Sequence, residues 1–280
     1  MGTLEQRMLS YGGIGNRSYN LYLPTDYVRN KNTKKFSLPL LVGFHGGTSN
    51  AVALMGQSQM NRIADANTFA VAYVNGTALN PFNLTFNADY CCGYASLADV
   101  DDIGFVKTVI AQVKAAHPIN TNGIFGFGFS NGAMLCYRIA FDAPTIFRAV
   151  APVAGALPIG FSKEPTNVPI LHIHGNDDTH LPVNGGYGTA AMEPVNCMPL
   201  SDASDLWTSK NKDIEISSST TKDYFYHLSK GDYNTHAYYI VLNNGHQWPG
   251  GISGNDPSLG RMNSNFNASQ VIWNFFKKYL

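Results

Sequence analysis

Gly123-Ile-Phe-Gly-Phe-Gly-Phe-Ser130-Asn-Gly132-Ala-Met-Leu-Cys-Tyr-Arg-Ile-Ala140 reads as a short apolar strand, a serine between two glycines, and then a helix. In Gly128-Phe129-Ser130-Asn131-Gly132 the serine would sit on a strained turn. Strand and helix backbones nearly collide at such a turn, so its flanking residues must be small, and glycine meets that need. The turn lifts the Ser130 hydroxyl out of the sheet. After it, Ala133, Tyr137 and Ala140 fall at helical spacing on one face, which supplies the strand-turn-helix context the motif requires. A glycine-rich turn with an incidental serine gives the same pentapeptide, so the rest of the chain has to decide.

Upstream, the continuous apolar run Leu38-Pro-Leu-Leu-Val-Gly-Phe44 fits a strand covered on both faces, and it delivers His45-Gly46-Gly47-Thr48. Two glycines directly after a buried strand let the N–H groups of Gly47 and Thr48 point at a ligand rather than into a ladder. With the matching N–H of Asn131 at the elbow, they form a candidate oxyanion hole. His45 is expected to be a structural hydrogen-bonder under this loop. Downstream, Ala149–Ala154 and Pro169–His174 are two more short strands, so strands and helices alternate. That pattern predicts an α/β fold with a mostly parallel, doubly wound sheet and helices on both faces. The second of these strands opens into Gly175-Asn176-Asp177-Asp178, at the end where ligands bind in such sheets, and both aspartates stand where an acid belongs. The last strand, Ala237–Leu242, releases Asn243-Asn-Gly-His246-Gln-Trp-Pro-Gly-Gly251. Serine, acid and histidine therefore follow one another in the order of a hydrolase triad, with Ser130 the expected nucleophile, His246 the base and Asp178 the acid.

At 280 residues, with 44% hydrophobic and 14% charged, the chain can bury a full core as one catalytic domain, residues 1–280. Lys+Arg and Asp+Glu are both 19, so no net field draws in nucleic acid or an anionic membrane. A monomer without cofactor is expected. No apolar run approaches the roughly 20 residues of a membrane span. The four cysteines, Cys91, Cys92, Cys136 and Cys197, allow one or two bridges whose pairing is not readable. Asn16, Asn75, Asn83 and Asn267 begin glycosylation sequons, which with the low charge points to a secreted protein. Met1 to Ser10 lacks the apolar core of a signal peptide, and the sequence is expected to start after one.

Along the chain, Arg17–Leu23 predicts an early strand near the sheet edge, 51–67 a helix, and 100–113 an amphipathic helix whose leading Asp99, Asp101 and Asp102 act as caps. Residues 76–99 keep no period, and 211–236 includes a candidate hairpin over Ile214–Tyr226. Two rival functions use the same chemistry-bearing residues. A metal site could draw on His172, His174, Asp177, Asp178 and His180, since residues two apart on a strand share a face. A hydrolase fold used only for binding is the other, and the intact serine, acid and histidine argue against it.

His45-Gly-Gly, Cys92-Gly93, Val100-Asp-Asp-Ile-Gly-Phe-Val106, Gly128-Phe-Ser-Asn-Gly-Ala-Met134, Ala151-Pro-Val-Ala-Gly155, His172-Ile-His-Gly175 with Asp178, and Gly245-His-Gln-Trp-Pro-Gly-Gly251 together resemble a known esterase group. It comprises the secreted, polyhydroxybutyrate depolymerase-like esterases of carbohydrate esterase family 1, in the α/β-hydrolase superfamily. The resemblance runs from about Arg17 to the C-terminus. It implies the α/β-hydrolase fold, puts the acid on Asp178 rather than Asp177 and the base on His246, and has Trp248 line or support the acyl pocket. Many members carry a cysteine near the position of Phe141, whereas the helix here carries Cys136, so the family's usual bridge does not transfer.

For the substrate, Phe82, Phe86, Tyr90, Tyr94, Tyr224, Phe225, Tyr226 and Trp248 lie on three segments that could meet above Ser130. An aromatic-lined cleft suits a phenolic acyl group on a neutral sugar. Trp248, Tyr94 and Asp177 are the expected substrate contacts. The expectation is a feruloyl esterase acting through an acyl-enzyme on plant cell-wall polysaccharide or oligosaccharide esters. Acetylxylan esterase and polyhydroxybutyrate depolymerase are the alternatives.

Overall fold

The computed structural model describes residues 2–12, 15–79, 83–191 and 193–280. Its strands are β1 (Thr3–Ser10), β2 (Asn16–Leu23), β3 (Leu38–Phe44), β4 (Ala70–Val74), β5 (Ile119–Phe129), β6 (Val150–Val153), β7 (Ile170–Gly175), β8 (Gly186–Tyr187), β9 (Asn196–Cys197), β10 (Glu215–Thr220), β11 (Tyr224–Lys230) and β12 (Thr235–Val241). The α-helices are α1 (Thr25–Asn30), α2 (Ala51–Ser58), α3 (Met60–Asn67), α4 (Gly93–Leu97), α5 (Asp102–Ala116), α6 (Asn131–Asp142), α7 (Leu200–Thr208) and α8 (Ala268–Phe276).

Ten strands form one sheet in the order β1-β2-β4-β3-β5-β6-β7-β12-β11-β10, and β8 pairs with β9 in a separate ladder. The six middle strands run parallel, from β4 to β12. Antiparallel hairpins extend both edges. The apolar run of β3 alternates between two cores because both sheet faces are covered. Leu38, Leu40, Val42 and Phe44 join Val109 of α5 and Leu135 of α6 on one side. Leu41 joins Leu54 of α2, Met60 of α3 and Trp273 of α8 on the other. This is the expected α/β architecture.

Several elements differ from their sequence reading. β2 lies near the sheet edge as expected, but an unexpected strand, β1, lies outside it, whose largely exposed residues leave too weak an alternation to announce a strand. The hairpin expected near 214–226 is β10–β11, and it extends the main sheet. The helix expected over 51–67 is broken at Gln59, whose φ of 55° ends α2 and starts α3. The break exposes the Ser58 carbonyl, which accepts a 2.6 Å hydrogen bond from the Ser269 hydroxyl at the start of α8.

The acidic start of α5 also divides its labour. Asp101 is the N-cap, accepting the Gly104 N–H at 2.8 Å. Asp102 instead forms a buried ion pair with Arg17 of β2 at 2.5 Å and accepts the Asn87 N–H at 2.7 Å. Asp99 accepts from the Asn87 side chain at 3.1 Å. These bonds pin residues 86–87 of the long excursion to the sheet. Burial pushes the Asp102 carboxyl up and the Arg17 guanidinium down, so desolvation outweighs their mutual attraction. Removing one partner strands the other charge in the core. Asp102→Ala is therefore expected to cost about 3–5 kcal/mol, measured by denaturant unfolding; a loss under about 1 kcal/mol, the scale of a surface pair, would show that the pair anchors nothing.

Candidate active site

β5 runs straight into α6 through Ser130, whose φ of 53° and ψ of −118° lie in a region that non-glycine residues rarely adopt. The turn closes because its neighbours have no side chains. A β-carbon on Gly128 would overlap the Gly132 carbonyl, and one on Gly132 would overlap the carbonyls of Phe44 and His45. Ser130 N–H donates to the Val153 carbonyl of β6 at 2.9 Å, fixing the turn at the C-terminal edge of the parallel strands.

The Ser130 hydroxyl meets His246 Nε2 at 2.9 Å, and His246 Nδ1 meets Asp178 Oδ2 at 2.7 Å. The three residues expected to form a triad, from three separate loops, thus stand in one hydrogen-bonded line. Asp178 Oδ1 accepts the N–H groups of His180 and Leu181, each at 2.8 Å. Burial alone would raise this carboxyl, but the adjoining His246 and the N–H donors of His174 and His246 outweigh it and hold the group well below the usual carboxylate range. Asp177 points elsewhere. It is exposed and accepts from the Asn176 side chain at 2.7 Å, so it is neither the acid partner nor a wall of the cleft.

Gly46 packs against the elbow, with its missing β-carbon 3.4 Å from Ser130 Cβ. Gly47 and Thr48 follow it into the cleft wall beside Asn131. The Asn131 N–H belongs to the first turn of α6, where backbone donors have no partner within the helix. Its side chain does something the sequence did not announce: Oδ1 accepts Phe86 N–H at 2.7 Å and Nδ2 donates to Phe86 O at 2.9 Å, so the elbow itself clamps the long excursion. His45 is structural, as expected. Gly76 N–H donates to its Nε2 at 3.0 Å, so Nδ1 carries the proton and donates to Gly46 O at 2.7 Å. Burial pushes its imidazole down to about 4, which keeps it neutral.

Above Ser130 lies a cleft of about 680 Å³. Its apolar lining is largely aliphatic, from Met134, Leu181, Ala191, Val195, Ile252 and Leu259. Among the described residues, Phe129 is the only Phe, Tyr or Trp ring in it. The expected aromatic lining is therefore corrected. Trp248 is buried beneath, donating Nε1–H to Ser269 at 3.1 Å and packing on Phe127 and Phe129, so it supports the wall without lining it. Tyr94 sits on α4 outside the cleft. Phe86 packs on Phe44 and His45 in the core. Tyr90 spends its hydroxyl on the Ala156 carbonyl at 2.6 Å. Tyr224 packs on Tyr239 and Phe266, and Phe225 on Tyr238. Tyr226 faces a separate hollow of about 420 Å³ shared with Phe275 and Tyr279. Phe82 lies outside the described residues.

Cys91 and Cys92 are bonded to each other in the cleft wall, while Cys136 and Cys197 are free and buried. The rival metal reading loses its ligands, because His172 Nε2 and His174 Nδ1 face one another at 2.8 Å. Among the described residues, Asp178, His180 and His246 bring ligand atoms together, as do Cys91, Cys92 and Glu193. Asp178 and His246 of the first set are engaged in the Ser130 line, and the sulfurs of the second in their own bond. His180 is the cleft residue sequence reasoning missed as such. Its ring stacks on His246 at 4.6 Å between centroids and 14° between planes. A histidine two positions after the acid was the available signal.

A family described as Phospholipase/Carboxylesterase matches residues 101–197. Among solved structures, a CE1 ferulic acid esterase from Anaeromyces mucronatus in complex with ferulic acid aligns over 99% of this chain and 90% of its own, with a TM-score of 0.58 at 15% identity. The chain has the α/β-hydrolase fold. A second solved structure, acetyl xylan esterase from Aspergillus awamori, aligns over 87% of this chain and 94% of its own with a TM-score of 0.54 at 14% identity. In sequence, the chain is 25% identical over 179 residues to feruloyl esterase B of Piromyces equi, 62% of this chain and 32% of that protein. It is 26% identical over 166 residues to the bifunctional acetylxylan esterase/xylanase XynS20E of Neocallimastix patriciarum, 59% of this chain and 22% of that protein. The chain thus spans about a third or less of the length of these two relatives.

The depressed Asp178 carboxyl makes acid stability a readout of the line. A carboxylate held below its unfolded value stabilises the fold above about pH 4 and loses that contribution as pH falls towards the folded value. Asp178→Asn is expected to be less stable at pH 7 and to lose stability less steeply in acid. Parallel curves of denaturant midpoint against pH for parent and variant would show that no such hold exists.

Proposed function

We propose that this chain is a serine carboxylic-ester hydrolase, its whole length one catalytic domain, acting on plant cell-wall polysaccharide esters. The observation that carries the reading is the unbroken hydrogen-bonded line from Ser130 through His246 to Asp178, opening on the cleft. In the proposed mechanism neutral His246 takes the Ser130 proton through Nε2 as Oγ attacks the ester carbonyl. Asp178 holds Nδ1–H and stabilises the imidazolium that forms. The amides of Asn131 and of Gly47 or Thr48 receive the tetrahedral oxyanion. His246 then passes its proton to the leaving alcohol, and water repeats the sequence on the acyl-enzyme.

For the acyl group we favour ferulate. The cleft volume and its apolar wall around Met134, Leu181 and Val195 suit burial of a phenolic acyl chain, and relatives by sequence and by structure carry feruloyl or ferulic acid esterase in their names. The scarcity of aromatic rings in the wall favours a second reading, an acetylxylan esterase, in which the same space holds sugar. In either case the substrate is an ester on a neutral polysaccharide, and a chain with 14% charged residues and several sequons suits a secreted enzyme working there. Asn75 and Asn267 are poor glycan acceptors, because Asn75 accepts from Ala51 N–H at 2.7 Å and Asn267 caps α8 through Gln270 N–H at 2.9 Å. Among the described residues no helix is long and apolar enough to cross a membrane.

Ser130→Ala should lower ester hydrolysis by about 10⁴-fold or more while keeping the fold, and Asp178→Ala should cost far more activity than Asp177→Ala. Retention of more than a few per cent of activity on an activated ester by Ser130→Ala would defeat the reading. A kcat/KM for methyl ferulate well above that for an acetyl ester of similar reactivity is the expected selectivity; parity or the reverse would move the choice to acetylxylan.

A further inference from the structure

Behind Asp178 lies a second line of polar side chains that the mechanism above does not use. His174 Nε2 stands 3.2 Å from Asp178 Oδ2, the oxygen that His246 also contacts, and 2.7 Å from the Leu181 carbonyl. His174 Nδ1 meets His172 Nε2 at 2.8 Å, with the two rings stacked 5° from parallel. His172 Nδ1 meets the Tyr137 hydroxyl at 2.7 Å, and that hydroxyl lies 3.4 Å from His236 Nε2. These four residues come from β7, α6 and β12, and each is 2% exposed or less. Polar groups buried this deeply satisfy one another.

We propose that Tyr137, His172 and His174 form a positioning chain that fixes Asp178 against His246, by dictating which nitrogen of each ring carries its proton. The inference rests on the hydrolase reading of Ser130, His246 and Asp178. Its direction is set at one end. His174 Nε2 faces only acceptors, the Leu181 carbonyl and the Asp178 carboxylate, so that nitrogen bears a hydrogen. With Nδ1 of His174 left as an acceptor, His172 must donate from Nε2. His172 Nδ1 then accepts from the Tyr137 hydroxyl, whose oxygen in turn accepts from His236 Nε2. Burial pushes His172 well below the ordinary imidazole range and His236 down to about 3, and raises the Tyr137 hydroxyl, so these groups stay neutral and the direction does not reverse at working pH. The opposite direction would put a proton on His172 Nδ1 and require a second proton on His174, a buried cation.

The chain acts on the reaction through one oxygen. The His174 N–H shares Asp178 Oδ2 with His246 and disperses part of its charge. Without it, the full charge faces His246, the imidazolium is stabilised, and the base needs a higher pH to become neutral. The titratable groups packed around this line are His180 on the His246 ring with Asp256 beyond it, Cys197 near Asp178, Cys136 and Tyr90 near Tyr137, and His227 beyond His236.

The test compares Tyr137→Phe, His174→Leu and His174→Gln with the parent on an activated ester. Tyr137→Phe and His174→Leu are expected to lower kcat by on the order of 10- to 100-fold with little change in KM, since misplacement of a reacting group acts on that scale. In His174→Leu the acid limb of the pH–rate profile moves to higher pH. His174→Gln, which keeps an N–H donor, restores most of kcat. Folded variants with the parent's kcat and pH profile, losing only thermal stability, would assign the chain to the core alone and overturn the proposal. If the variants do not fold, ¹⁵N-histidine NMR on the unsubstituted chain decides: His172 and His174 should each carry hydrogen on Nε2 and none on Nδ1, and a hydrogen on Nδ1 of His174 would overturn it. Ser130→Ala separates the two readings, because activity retained there defeats the hydrolase assignment while the ring protonation, read without turnover, still stands or falls by itself.

Discussion

Two backbones cross at the elbow with no room for a β-carbon between them, and much of the molecule is arranged around that contact. Gly128 lies against the Gly132 carbonyl, and Gly132 against the carbonyls of Phe44 and His45. The crossing draws the first turn of α6 onto the end of β3 and so brings the His45-Gly46-Gly47 loop beside Ser130. It also leaves Ser130 in a backbone conformation that only an over-determined setting maintains. The setting comes from the β6 carbonyl below, the Gly46 backbone beside it and the Asn131 side chain, which ties in Phe86 of the excursion while Asp102, paired with Arg17, holds the next residue, Asn87.

What could be read from the sequence is what short-range chemistry writes there. The elbow, the double glycine after β3, the acid after β7 and the histidine after β12 are each local patterns at strand ends, and a parallel sheet gathers strand ends without further instruction. The aromatic residues were misread for the opposite reason. A tyrosine or tryptophan near the site in sequence carries no record of which way it faces, and Tyr90, Trp248 and the Tyr224–Tyr226 run turned to carbonyls, core or a separate hollow, while Tyr94 stays out of the cleft lining. Breaks decided at long range were equally hidden. The Ser58 carbonyl exposed by the helix interruption meets a serine 211 residues away, and Asp102 finds Arg17 across 85 residues.

The histidines show the same division. His45, His172, His174 and His236 look alike in sequence to His246, yet burial renders His45, His172 and His236 neutral hydrogen-bonding pieces, while His246 keeps one face on the cleft. The metal reading of His172 and His174 correctly placed them on one face of a strand. It failed because their nitrogens are spent on each other.

The bond between Cys91 and Cys92 joins residues adjacent in the chain. A cross-link stabilises a fold chiefly by shortening the loops open to the unfolded chain, and this one encloses no loop. Its contribution is therefore to local shape. It makes a stiff, sulfur-bearing ledge on the cleft wall, in the apolar cluster that holds Met134, Leu181 and Val195, at a point where the excursion has neither strand nor long helix to hold its form. A reducing medium would leave the sheet, the elbow and the Ser130 line intact and relax only that ledge, so the covalent chemistry of this protein's cysteines bears on what the cleft admits rather than on whether the chain folds.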